Sequence, residues 1–228
     1  MSALADVIGY AHDSRLIVIL DAKRNDIGST AAAYAKAYLG SGGASPWGAD
    51  ALTVNAYLGR DSLQPFVDTA TETGSGIFVL VKTSNPGGGM FQDLPTNGRP
   101  LYARVAEEVQ RLAAETVGQC GYGSVGAVVG ATYPSQLSQL RAEMPQSWIL
   151  VPGYGSQGGT ARDVAGALDD RGFGAMINSS RAIIFAYSRP EYRDRFGPSR
   201  WQQAVEAATG EMIEQLRSET PAGKLHKA

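Results

Sequence analysis

At 228 residues and 43% hydrophobic, the chain can bury a substantial core and fits one large α/β domain as well as two small ones. A net charge of −2 with both signs interspersed gives no basic stripe for nucleic acid or an anionic membrane, and the single Cys120 excludes an internal disulfide and fits a reducing compartment. No apolar stretch approaches the roughly 20 residues that span a bilayer, and "MSALADVIGYAHDSR" lacks the blocks of a signal peptide, so a soluble, cytoplasmic protein is expected.

Taken in chain order, "SALADVIGYAHDSR" reads as a helix leading into the first apolar run. Short β-branched runs then recur at Leu16–Leu20, Ala51–Val54, Ile77–Val81, Val125–Val129, Trp148–Val151 and Ala175–Ile177. Helical patterns lie between most of them. Leu101, Val105, Val109, Leu112 and Ala113 keep a 3.6-residue period, as do Trp201, Val205, Ala208, Met212 and Leu216. Apolar strands separated by amphipathic helices predict a parallel sheet covered by helices. No linker divides residues 1–217, which read as one domain, and residues 218–228 ("SETPAGKLHKA") read as a frayed tail.

Polar residues and glycines gather just after the runs: "DAKRND", "NAYLG", "KTSNPGGG", "GATYPS", "PGYGSQGG" and "NSSR". A TIM (β/α)₈ barrel puts all such turns on one face, where its chemistry sits. A doubly wound open sheet would gather them at its carboxyl edge, and pattern alone leaves both architectures open.

Two stretches carry chemistry. In "LIVILDAKRNDIGST", strand alternation sends Ile19, Asp21 and Lys23 to one side, with Asp21 and Lys23 roughly 7 Å apart along the strand. Asp26 falls beyond the alternation, in the turn. The pair reads either as a salt bridge capping the strand or as a paired, partly desolvated couple fit for general-acid work. The second stretch is "VPGYGSQGG" followed by "NSSRAIIFAY". Gly153, Gly155 and Gly158 formally satisfy a dinucleotide fingerprint, but the next run ends at Asn178 where that fingerprint wants an acid. A phosphate site fits better: glycines admit backbone N–H groups, Gln157 offers an amide hydrogen and Arg181 a bidentate cation. A tight turn beside a surface arginine is the plain alternative.

With these residues in view, "DAKRNDIGSTAAAYA" matches the D-x-K-x-x-D-I motif of the orotidine 5′-monophosphate decarboxylase family. "ADALTVNAYLGRDSLQPF", "FVLVKTSNPG", "VGAVVGATYP", "LVPGYGSQGG" and "GAMINSSRAIIFAY" resemble its bacterial type 2 branch, in order, from about residue 14 to residue 190. The resemblance implies a dimeric TIM barrel that converts orotidine monophosphate to uridine monophosphate in pyrimidine synthesis, without metal or organic cofactor. It implies Lys23 as the acid that protonates C6, and Asp21 against the substrate carboxylate. Asp26, with Ile27 and Thr30, would reach the partner's ligand across the dimer interface. Ser84 would hydrogen-bond the pyrimidine, Gln157, Gly158 and Arg181 would hold the phosphate, and Thr132 would lie near the base or a closing loop, with "SNPGGGMFQDLPTNG" flexible enough to join that closure. Asn25 stands where the resemblance expects glycine, and Ala56 where it expects proline.

Only six of the barrel's eight strand–helix units are legible, with about twenty residues before Asp21, so an N-terminally incomplete member with little activity of its own is expected. The family's second strand supplies a lysine to an alternating Lys-Asp-Lys-Asp array. Of the five lysines here, Lys82, in phase with Ser84, is the plausible stand-in. A catalytically impaired nucleotide-binding remnant and a magnesium-dependent sugar-phosphate enzyme sharing D-x-K-x-x-D are the rival readings.

Overall fold

The computed structural model describes residues 2–40, 45–155 and 157–226. Within them the predicted alternation is present. Helix α1 (Ser2–Asp13) leads to β1 (Ile19–Arg24), followed by α2 (Gly28–Leu39), β2 (Ala51–Val54), α3 (Arg60–Thr73) and β3 (Gly76–Lys82). After a one-turn α4 (Gly89–Gln92) and a small hairpin of β4 (Pro95–Thr96) and β5 (Arg99–Pro100) come α5 (Leu101–Ala114) and β6 (Val125–Val129). Then follow α6 (Pro134–Glu143), β7 (Ile149–Val151), α7 (Ala161–Ala165), β8 (Ala175–Ile177), α8 (Arg181–Ile184), α9 (Pro190–Phe196) and α10 (Trp201–Glu219).

The chain divides into two compact units, Met1–Val128 with Glu143–Ile149, and Val129–Ala142 with Leu150–Ala228. In the first, β1, β2 and β3 lie side by side and parallel, with β6 next in order. β2 and β6 are buried along their whole length, which is why they read as unbroken apolar runs. Leu63, Phe66, Val67 and Ala70 of α3, and Val109, Leu112 and Ala113 of α5, complete this core. Burying each such leucine or phenylalanine contributes about 1.5–3 kcal/mol. In the second unit the end of β7 precedes β8 in the order, and the Asn178 N–H after β8 donates to the Val151 carbonyl (3.2 Å). Tyr192, Ala186, Ala204 and Ala208 form a separate cluster where α9 meets α10.

Two boundaries depart furthest from expectation. The first strand spans Ile19–Arg24 rather than Leu16–Leu20, because pairing to β2 begins at Ile19↔Ala51 and runs on into the charged residues. Leu16 and Ile17 lie ahead of the pairing and are exposed. At the other end, helix α10 continues through Ser218 and Glu219, and a 3₁₀ turn covers Pro221–His226, where a frayed tail was expected from 218. The Thr220 hydroxyl donating to the Leu216 carbonyl (2.6 Å) and Lys224 Nζ donating to the Asp170 carbonyl (2.6 Å) hold that end. Lys227 and Ala228 lie outside the described residues. Among the described residues no helix is long and apolar enough to cross a membrane.

Candidate active site

The charged stretch "DAKRND" lies at the end of β1 and in the turn that follows it. Lys23 Nζ donates to Asp21 Oδ2 at 2.6 Å, so the D-x-K pair is formed. It is set by Thr53 of β2, whose side chain is fully buried. The Thr53 hydroxyl donates to Asp21 Oδ1 (2.9 Å) and accepts the Lys23 backbone N–H (2.9 Å). The register slips between Leu20 and Arg24, and Lys23 takes a left-handed conformation with φ +51°. That kink replaces regular alternation and brings the lysine back over Asp21. Of the two readings of the pair, a strand-capping salt bridge or a partly desolvated couple, the exposure of its side chains, 64% for Asp21 and 50% for Lys23 within this chain, lies nearer the first. β1 ends the strand order and so, among the described residues, has a neighbouring strand on one side only.

Beyond Lys23 the turn is organised by Asn25. Its amide donates to the Asn55 carbonyl and to Ser62 Oγ (3.0 Å), and its Oδ1 accepts the Asp26 N–H (2.8 Å). The residue that departs from the family pattern thus ties the Asp26 turn to the loop after β2. Ala56, the other departure, accepts the Gly59 N–H within that loop (3.0 Å). Asp26 Oδ1 accepts the Ile27 N–H (2.8 Å), and Ile27 is the exposed residue preceding α2, with Thr30 exposed in its first turn.

Ser84 lies two residues past the end of β3, half-buried, with no hydrogen bond from its hydroxyl to any described residue. The loop beyond it is built rather than loose. Gln92 Oε1 accepts the Thr83 N–H (3.0 Å), Gln92 Nε2 donates to Thr83 Oγ1 (2.8 Å), and Lys82 pairs with Asp93. Lys82 is fully buried, 5.3 Å from the Tyr102 ring centroid. Burial first, and then the Asp93 carboxylate, push the Tyr102 hydroxyl above its ordinary pKa. The proposed stand-in lysine is therefore engaged with Asp93. Sequence reasoning passed over Thr53, Gln92 and Asp93. Only the Thr within "ALTV" left a trace, as a hydroxyl in an otherwise apolar run.

The second unit holds the other candidates. Gly155 (φ +75°) and Gly158 (φ +94°) turn the chain after β7, with the Gly158 N–H donating to the Gly155 carbonyl and the Gly155 N–H to the Gly159 carbonyl, both at 2.8 Å. A Cβ at Gly155 would stand 3.1 Å from Ala182 and 3.5 Å from Ser179 Oγ. The turn therefore packs directly on the start of α8, where Arg181 is exposed, as is Gln157 in the turn itself. The Thr132 hydroxyl is buried with no hydrogen-bond partner among the described residues, in the loop whose Ala131 N–H donates to the Pro152 carbonyl (2.8 Å). Tyr154 OH donates to Gln215 Oε1 (2.7 Å), anchoring the turn to α10.

A strand-end Asp–Lys pair and a glycine turn against a helix start could belong to several phosphate-handling barrels. Comparison with known proteins decides among families. The model of the orotidine 5′-phosphate decarboxylase / HUMPS family matches residues 2–193. The chain belongs to this family. It is 58% identical over 219 residues to the orotidine 5′-phosphate decarboxylase of Rhodopirellula baltica, covering 95% of this chain and 72% of that protein. It is 43% identical to the namesake of Caldicellulosiruptor saccharolyticus, covering 81% of this chain and 62% of that protein. The solved structure of Leishmania donovani OMP decarboxylase superposes with a TM-score of 0.66 at 34% identity, over 93% of this chain and 74% of that one. This chain thus spans about 62–72% of the length of these two bacterial relatives. The family fold is a TIM barrel, of which six strand–helix units are present among the described residues.

Proposed function

We propose that the protein decarboxylates orotidine 5′-monophosphate to uridine 5′-monophosphate in cytoplasmic pyrimidine synthesis. The observation that carries this is the Asp21–Lys23 ion pair held by Thr53, in a chain 58% identical to a protein named for that reaction. The C6–carboxylate bond breaks, carbon dioxide leaves, and the bonding pair remains on C6. Lys23 as ammonium stabilises that charge, then gives its proton to C6 and is reprotonated from water. Asp21 faces the substrate carboxylate and, through its ion pair, holds the Lys23 side chain in place.

The remaining candidates take positions away from the reacting carbon. Ser84 hydrogen-bonds the pyrimidine, with Thr132 near the base. Gln157, Gly158 and Arg181 bind the phosphate, whose distant grip supplies binding energy for the chemical step. Asp26, Ile27 and Thr30 serve the ligand of a partner subunit in a homodimer, Asp26 and Thr30 toward its ribose.

The test is loss of orotidine monophosphate absorbance with purified protein, with and without a chelator. Whatever turnover the chain has should be unaffected by the chelator, and Lys23→Ala should abolish it while nucleotide binding persists. Near-normal turnover by Lys23→Ala would sink the assignment. Magnesium-dependent turnover of a sugar phosphate would replace it with the HUMPS side of the family, and nucleotide binding without turnover would mark an impaired remnant.

A further inference from the structure

The segment from Lys82 to Asp93 is closed on itself by side chains. Lys82 Nζ pairs with the Asp93 carboxylate. One residue inward on both sides, the Gln92 amide clasps Thr83 twice, accepting its backbone N–H and donating to its hydroxyl. That hydroxyl in turn donates to Asn85 Oδ1 (2.6 Å). Residues 82, 83 and 85 are therefore each fixed by a side-chain hydrogen bond or ion pair, and Ser84, which lies among them, keeps a hydroxyl with no partner among the described residues. Its neighbours are held and its donor is left for something else.

The cost of this arrangement argues that it has a purpose. A lysine with no exposed surface forfeits its hydration, which only a close anion offsets. Two glycines make room for the closure. A Cβ at Gly88 would come 2.9 Å from Thr83 Oγ1, and one at Gly89 would come 2.6 Å from Asp93 Oδ2. Gly89 has ordinary helical dihedrals (φ −61°, ψ −23°), so what a side chain there would disturb is the Asp93 carboxylate rather than the backbone.

We infer that Lys82, Thr83, Gln92 and Asp93 form a clasp that positions the Ser84 hydroxyl for the pyrimidine ring, making them positioning residues for base recognition. This rests on the proposed role of Ser84. A donor fixed in advance loses little freedom when the base arrives, whereas one on a free loop must be ordered at that moment. The clasp acts on the base only, so the phosphate grip is indifferent to it.

The experiment measures binding of uridine monophosphate and of ribose 5-phosphate by calorimetry, in the whole chain and in Ser84→Ala, Gln92→Ala, Gly89→Ala and Ser84→Ala/Gln92→Ala. Circular dichroism and thermal melting report folding. Gln92→Ala and Gly89→Ala should weaken uridine monophosphate about tenfold and leave ribose 5-phosphate within about twofold. In the Ser84→Ala background, Gln92→Ala should add no more than about twofold, because its effect runs through that hydroxyl. Equal weakening of both ligands, or a full additional loss in the double variant, would overturn the inference while leaving the proposed function standing. Unchanged uridine monophosphate binding in Ser84→Ala would instead overturn the role of Ser84 and the clasp's purpose together. Failure of the parent chain to bind uridine monophosphate would overturn the function itself and the inference with it.

Discussion

Thr53 shows how much one side chain can arrange. Its hydroxyl spends its proton on Asp21 and its lone pair on the Lys23 N–H, so a single buried atom sets both the acid's partner and the kink that carries the acid. Thr53→Val keeps the shape and removes both bonds. It should cost about 1–3 kcal/mol of stability, seen as a lower denaturant midpoint with an unchanged slope. It should also reduce turnover more than it raises KM, because the phosphate grip is untouched. A variant with normal turnover would show that Asp21 needs no holder. The sequence identified Asp21 and Lys23 through their charges at a strand end, but not Thr53. A threonine in a buried strand is indistinguishable from a β-branched core residue until its neighbour across the sheet is known. The same blindness hid Asp93, whose partner Lys82 is eleven residues away across a glycine-rich loop.

At the scale of elements, helices α3 and α5 are joined by a charged bracket. Arg60 grips Glu108 through two hydrogen bonds of 2.7 Å, and Arg111 adds two more, at 2.8 and 3.2 Å, from within α5. Burial alone would raise the Glu108 carboxyl, but the hydrogen bonds from Arg111 and Arg60 overcome it and bring its pKa down to about 2. A carboxylate whose folded pKa is depressed stabilises the fold above its unfolded value, and that contribution is lost as pH falls. Here the loss should run from about pH 4.5 down to about pH 2, amounting to about 1–2 kcal/mol after solvent screening of the exposed Arg60. Glu108→Gln should flatten the melting temperature across that window; a wild-type slope in the variant would exclude the bracket as its source. The helices themselves were readable, since α5 shows a clear 3.6-residue period. The loop after β3 was not: its glycines suggested slack, yet side chains remote in sequence close it.

At the scale of the whole molecule, the proposed homodimer makes a countable prediction. Asp26→Ala chains and Lys23→Ala chains should each be nearly inactive alone, yet after subunit exchange one site of each heterodimer has both residues. Random pairing then restores roughly a quarter of wild-type activity. No recovery once exchange is verified would mean that Asp26 serves its own chain.

The left-handed backbone at Lys23 carries a further consequence, for thermal selection rather than for chemistry. A lysine there costs on the order of 1 kcal/mol that glycine would avoid, less the greater freedom glycine has when unfolded. Lys23→Gly should therefore melt no lower than the parent, and up to about 3 °C higher, while losing all turnover. A screen that ranks variants by heat resistance alone would discard the very residue the proposed chemistry requires, so directed evolution of this scaffold for robustness needs activity scored in every round.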